Sequence, residues 1–128
     1  MKHLSAANIA NLRTRNIDIY ATIIIAVVIG LATLTPVDEL PAVSGSDKLY
    51  HFISFAILTL PIAVIRPKAL WVIFILSVVY GGAIEVLQPL INRNCELADF
   101  LADVAGVALG MAMSKALVRL SPTIADEQ

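Results

Sequence analysis

Four long apolar runs, separated by short polar breaks, dominate the chain. The first opens at Asp18 and is uncharged from Ile19 to Val37. About 20 mostly apolar residues are enough for a helix to cross the hydrocarbon core of a bilayer, so a span is predicted over 18–35. Thr35-Pro36 through Pro41 to Ser46 breaks the helix as a loop. A second span, 47–65, follows, with Ser44 and Asp47 at capping-box spacing and Pro61 expected to kink it. Arg66-Pro67-Lys68 is so short a connection that the third span, 69–90, must pack antiparallel to the second. A turn at 91–96 leads to a fourth span, 97–118, whose hydropathy is lowered by Asp99 and Asp103. Residues 1–16 read as a polar lead-in and 120–128 as a polar tail, which leaves 17–119 as the membrane domain.

Composition supports this reading. Of 128 residues, 59% are apolar and 15% charged. Soluble domains are closer to half apolar and a quarter charged, and a globule this small cannot hide such an excess from water. The expected fold class is therefore all-α, an integral membrane four-helix bundle surrounded by membrane lipids. The formal net charge is −1, with no basic patch interleaved with aromatics, which sets nucleic acid aside. A single cysteine, Cys95, allows neither an internal disulfide nor a zinc motif. The first run is long for a signal peptide and lacks a small-x-small cleavage site, so it reads as retained.

Basic residues set the expected orientation. Lys2, Arg13, Arg15, Arg66, Lys68, Lys115 and Arg119 fall on one side, against Lys48 and Arg93 on the other. That asymmetry predicts both termini in the cytoplasm of a bacterium, with the loop at 36–46 and the turn at 91–96 facing outward.

Polar side chains then fall at one depth. Asp47, Lys48 and His51 open the second span, Glu85 and Gln88 close the third, Arg93 lies in the turn, and Asp99 and Asp103 open the fourth. Ionisable groups in hydrocarbon are costly and usually face a bundle interior, where they often mark function. Gly81, Glu85 and Gln88 are spaced i, i+4, i+7, and Asp99, Asp103, Gly106 and Gly110 share one stripe of the fourth span. Gly106 and Gly110 form GxxxG, a spacing that lets helix backbones approach closely. The acidic stripe is thus also the packing stripe. Two helix N-termini converge at the same end beside Lys48 and Arg93, an arrangement suited to an anion. The plainer reading pairs Lys48 and Arg93 with Glu85 and Asp103 in a structural network.

This ordered set, Asp47-Lys48-x-x-His51-x-x-x-Phe55, Glu85-x-x-Gln88, Arg93 and Asp99-x-x-x-Asp103-x-x-Gly106-x-x-x-Gly110, resembles the VanZ-like family, as does the loop from Thr35-Pro36 to Pro41. The likeness covers about residues 34–113. Asp103 departs from it, since asparagine is the residue expected there. The resemblance implies a small polytopic membrane protein linked to low-level resistance to teicoplanin, and it brings no settled reaction.

The expected function is recognition of an envelope lipid or glycan group in an outward-facing pocket lined by Asp47, Lys48, His51, Glu85, Gln88, Arg93, Asp99 and Asp103. An enzyme acting on a lipid-linked substrate through Glu85, His51 and Asp99 is the alternative, ranked second because no nucleophile–base pair is legible. A scaffold held by ion pairs is the bland rival. A transporter fits poorly, because the polar groups crowd one leaflet and do not reach the midplane. His51, Glu85, Asp99 and Asp103 are ligand types a metal accepts, but no tight motif joins them, so neither metal nor cofactor is expected. Oligomerisation is left open.

Overall fold

The computed structural model describes residues 6–36 and 47–120. The Ser44–Asp47 capping reading and most of the 36–46 loop lie outside them. Among the described residues every regular element is helical. The helices are α1 (Ala6–Thr14), α2 (Ile17–Thr33), α3 (Asp47–Ile65), α4 (Leu70–Leu87) and α5 (Leu97–Leu120). Short 3-10 turns at Pro67–Ala69 and Gln88–Ile91 extend α4 at both ends.

Three elements, Asp47–Ile65, Pro67–Ile91 and Leu97–Leu120, are long and apolar enough to cross a membrane, and α1 with α2 would make a fourth if that bent pair counts as one span. The lead-in is more ordered than its polarity suggests. Its Ala-rich segment forms α1, which meets α2 at 61°. Asn16 makes the corner, with φ 53°, a left-handed conformation that asparagine tolerates better than most residues. Ile9 of α1 then packs with Ile65 and Val118, closing that end of the bundle.

Arg66 locks the corner. Its guanidinium donates to Asp18 Oδ2 at 2.5 Å and Oδ1 at 3.2 Å, to Asn16 Oδ1 at 2.7 Å and to the Arg13 carbonyl at 3.1 Å. Asp18 is fully buried, and a planar fork bound to both its oxygens supplies the counter-charge it needs. The connection thus ties α1 and α2 to the end of α3.

The helices alternate in direction, so α3 and α5 run parallel although α4 lies between them in sequence. They form the most extensive helix pair. Glycine makes this contact possible. A Cβ on Gly106 would fall on the Phe52 carbonyl oxygen, and one on Gly110 on Thr59 Oγ1 and the Ala56 carbonyl. In lipid, where helices gain little from burying apolar surface, such close backbone contact is a main source of cohesion. Phe55, Leu58, Ile84, Val107 and Ile29 fill the centre. Tyr80 stacks on Phe55 and donates its hydroxyl to the Ala26 carbonyl, joining α4 to α2. Pro61 sits within α3, which continues as one helix to Ile65. Outward faces are apolar, with Ile24, Val28 and Leu31 on α2 and Trp71, Ile75 and Val79 on α4. Those faces suit a hydrocarbon solvent.

Candidate functional site

The turn between α4 and α5 shapes one end of the bundle. After Gln88–Ile91 the chain reverses at Asn92, φ 59°, and the Arg93 N–H donates to the Gln88 carbonyl at 3.1 Å. The Glu96 carbonyl accepts from the N–H groups of Asp99, 2.9 Å, and Phe100, 3.3 Å, starting α5. The first turns of the parallel helices α3 and α5 are therefore adjacent, facing the last turn of α4. Each carries a carboxylate in its first turn, Asp47 or Asp99, which complements the positive end of its helix.

Five of the expected residues lie inside this assembly. His51, Glu85, Gln88, Asp99 and Asp103 are 2%, 4%, 1%, 2% and 0% exposed, so they face protein and not lipid. His51 Nδ1 meets Asp103 Oδ1 at 2.8 Å. Glu85 Oε2 accepts the Glu96 N–H at 2.9 Å. The Gln88 amide, oriented by the hydrogen bonds open to it, donates to Glu85 Oε2 at 3.3 Å and to the Asn94 carbonyl at 3.1 Å. Asp103 Oδ2 lies against Gly81, where a Cβ would come within 2.7 Å of it. Glycine at 81 leaves the room that this carboxylate occupies.

Cations stand at the rim. Lys48 reaches Glu96 Oε2 at 2.8 Å and Asp99 Oδ1 at 3.3 Å. Arg93 donates to both Asp47 oxygens, at 3.2 and 3.3 Å, and to the Thr35 carbonyl at 3.4 Å. The pairs that sequence suggested, with Glu85 and Asp103, are not the ones formed. Arg93 in the turn lies level with the first residue of α3, whereas Asp103 is a full turn deeper and holds His51. Lys48 and Glu96 are about half exposed, a setting in which an ion pair contributes little to stability. The Lys48 ammonium beside it still holds the Glu96 carboxyl below its ordinary value.

What sets the cluster apart is incomplete satisfaction. Buried polar groups are nearly always hydrogen-bonded. Six buried side-chain atoms among the described residues have no such partner within the protein, and four belong here: His51 Nε2, Glu85 Oε1, Asp99 Oδ1 and Asp103 Oδ2. Asp99 Oδ1 has only the Lys48 contact, outside hydrogen-bond geometry. Three are carboxylate oxygens, so the site offers acceptors in search of donors or positive charge.

Two participants escaped the sequence reading. Glu96 bonds through both its side chain and its backbone N–H, and Asn94 accepts from Gln88. Their signal was adjacency to Arg93 in a turn expected on the same side of the membrane as Lys48. The Asp18–Arg66 pair at the opposite end also went unnoticed, although a carboxylate opening one span and an arginine closing another must share a level.

The arrangement defines a polytopic helical membrane protein with a polar, acceptor-rich hub at one end. Residues 5–119 of 128 match the VanZ/LLP1 family, and the chain belongs to it. No curated protein and no solved structure matches the chain.

Proposed function

We propose that the chain spans a bacterial cytoplasmic membrane four times, with both termini inside, and that its outward-facing hub recognises an envelope lipid or glycan group. The observation that carries this reading is the set of four unsatisfied buried atoms drawn from three helices. A fold that needed the cluster only for cohesion would have closed these bonds internally, because each open one costs stability. Sugar hydroxyls or a headgroup ammonium supply the donors that Glu85, Asp99 and Asp103 lack. Lys48 and Arg93 at the rim suit a neighbouring anionic group. Basic residues support the orientation, with Arg13, Arg15, Arg66, Lys68, Lys115 and Arg119 all at the far end. Engagement of an envelope precursor would connect the protein to glycopeptide response, teicoplanin included.

Native mass spectrometry of the protein extracted with its lipids tests this. A bound species present in the parent and lost in Glu85→Ala and Arg93→Ala is expected. Its full retention in both variants would overturn the pocket.

One observation favours a second reading, a membrane enzyme acting on a lipid-linked substrate. His51 is oriented through Nδ1 by Asp103 and leaves Nε2 free, as in a base held by a carboxylate. Glu85→Gln separates the readings. Loss of the cellular effect with binding intact points to chemistry, and loss of both points to recognition.

A further inference from the structure

We propose that His51, Glu85 and Asp103 form a binding site for one divalent transition-metal ion. Each offers a ligand atom, and these atoms lie within 4.8 Å of one another. Ligands about 2.1 Å from a shared zinc ion stand at most about 4.2 Å apart, so small side-chain rotations complete the geometry. All three residues are more than nine-tenths buried, and each carries an atom without a protein partner: His51 Nε2, Glu85 Oε1 and Asp103 Oδ2. A cation would engage Glu85 Oε1 and Asp103 Oδ2 together with His51 Nδ1, which already faces Asp103 at 2.8 Å, and would replace the hydrogen between those two groups; Nε2 points to the other side of the ring. One imidazole with two carboxylates suits Zn2+ or Mn2+ better than Ca2+ or Mg2+, which favour all-oxygen sets.

Charge argues the same way. When ionised, Glu85, Asp99 and Asp103 bring three negative charges into the bundle; of these the Lys48 ammonium reaches only Asp99, and it is shared with Glu96 at the rim. Arg93 is held by Asp47. Glu85 and Asp103 have no Lys or Arg partner among the described residues, and their two charges match one divalent ion. The remaining contacts fit outer support of the kind that fixes metal ligands. The Glu96 N–H and the Gln88 amide hold Glu85 Oε2 and leave Oε1 without a protein partner among the described residues. Gly81 leaves space for Asp103 Oδ2. A competing set, Asp47, His51 and Asp99, also brings ligand atoms together. There Asp47 is exposed and already bound to Arg93, so the deeper set is preferred.

This inference does not rest on envelope-ligand recognition, and an ion held here would occupy Glu85 and Asp103, two of the acceptors proposed for that ligand. It is measured on delipidated, chelator-stripped protein in detergent, where failure to bind lipid has no influence. Zn2+ and Mn2+ are titrated separately and bound metal is counted by plasma mass spectrometry. One ion per chain is expected, with affinity at least tenfold weaker in Glu85→Gln and Asp103→Asn and no more than twofold changed in Asp47→Asn. Gly81→Ala, which removes no ligand, should also weaken binding several-fold. Absence of stoichiometric binding of either ion at 100-fold molar excess over protein would overturn the site. So would equal binding in parent, Glu85→Gln and Asp103→Asn, or loss in Asp47→Asn alone. X-ray absorption of the Zn2+-loaded parent needs no variant to fold. One imidazole with oxygen ligands supports the site, and a shell lacking imidazole refutes it.

Discussion

The contact between α3 and α5 can be tested by adding one methyl group at each of two glycines with opposite outcomes. At Gly106 a new Cβ would fall on the Phe52 carbonyl oxygen and lie 3.0 Å from the Phe52 carbonyl carbon and 3.2 Å from the Ala56 nitrogen. All three neighbours are backbone, so no rotamer change relieves them and the helices must move apart. Overpacking of this kind costs about 1–3 kcal/mol, from which alanine's better helix propensity recovers about 1 kcal/mol. At Gly82 the new Cβ would meet only Phe100 Cε2, at 3.6 Å, an ordinary contact. Gly82→Ala should therefore gain about 0.5–1 kcal/mol. The two variants have the same composition and differ only in which glycine is filled. Reversible unfolding by SDS titration, followed by circular dichroism, gives both values on one scale. Gly106→Ala should unfold at a lower SDS fraction than the parent and Gly82→Ala at an equal or higher one. If Gly106→Ala matches or exceeds Gly82→Ala, the helices are not held at backbone contact and the packing argument collapses.

Other consequences are more quickly tested. Arg66→Ala should lower the thermal midpoint more than the double variant Asp18→Asn/Arg66→Ala, because the single change strands a fully buried carboxylate. Equal losses would mean that the pair is incidental. Glu96 is held below its ordinary 4.5 by Lys48, so its contribution is present above that pH and fades as pH falls through the lowered value. The difference in thermal midpoint between the parent and Glu96→Gln should accordingly be constant from pH 6 to 7 and shrink in acid. A difference that grows in acid contradicts the assignment. Cys95 is the only cysteine and is exposed in the turn at the hub. A membrane-impermeant maleimide should label it in intact cells, and labelling only after lysis would reverse the proposed orientation.

Hydropathy and helix punctuation carried much of the architecture. The second run predicts a span over 47–65, and α3 occupies Asp47–Ile65; Arg66-Pro67 and the polar 92–96 segment mark its neighbours as clearly. Depth was legible too, since Lys48, His51, Glu85, Asp99 and Asp103 could be assigned to one end by counting along each run. Partner choice was not. Depth fixes height in the bundle but says little about which helix a side chain faces, so Arg93 went to Asp47 and Lys48 to Glu96 and Asp99, against the expected pairs. α1 was missed for a related reason. Its helix is short and only weakly patterned, and what orders it is a tertiary tie through Arg66 and the Ile9–Val118 contact.

The parallel pairing of α3 with α5 also fixes when the hub can exist during synthesis. Its two walls are separated by the whole of α4, so a nascent chain that has inserted only as far as Glu96 holds His51 with no Asp103 to meet it. Every earlier insertion step leaves Glu85 without the Glu96 amide, and Lys48 without either acid. The polar hub thus matures only once the start of α5 is in place. A chain truncated before α5 would carry its ionisable residues into the bilayer unmatched, which makes such fragments natural targets for membrane quality control.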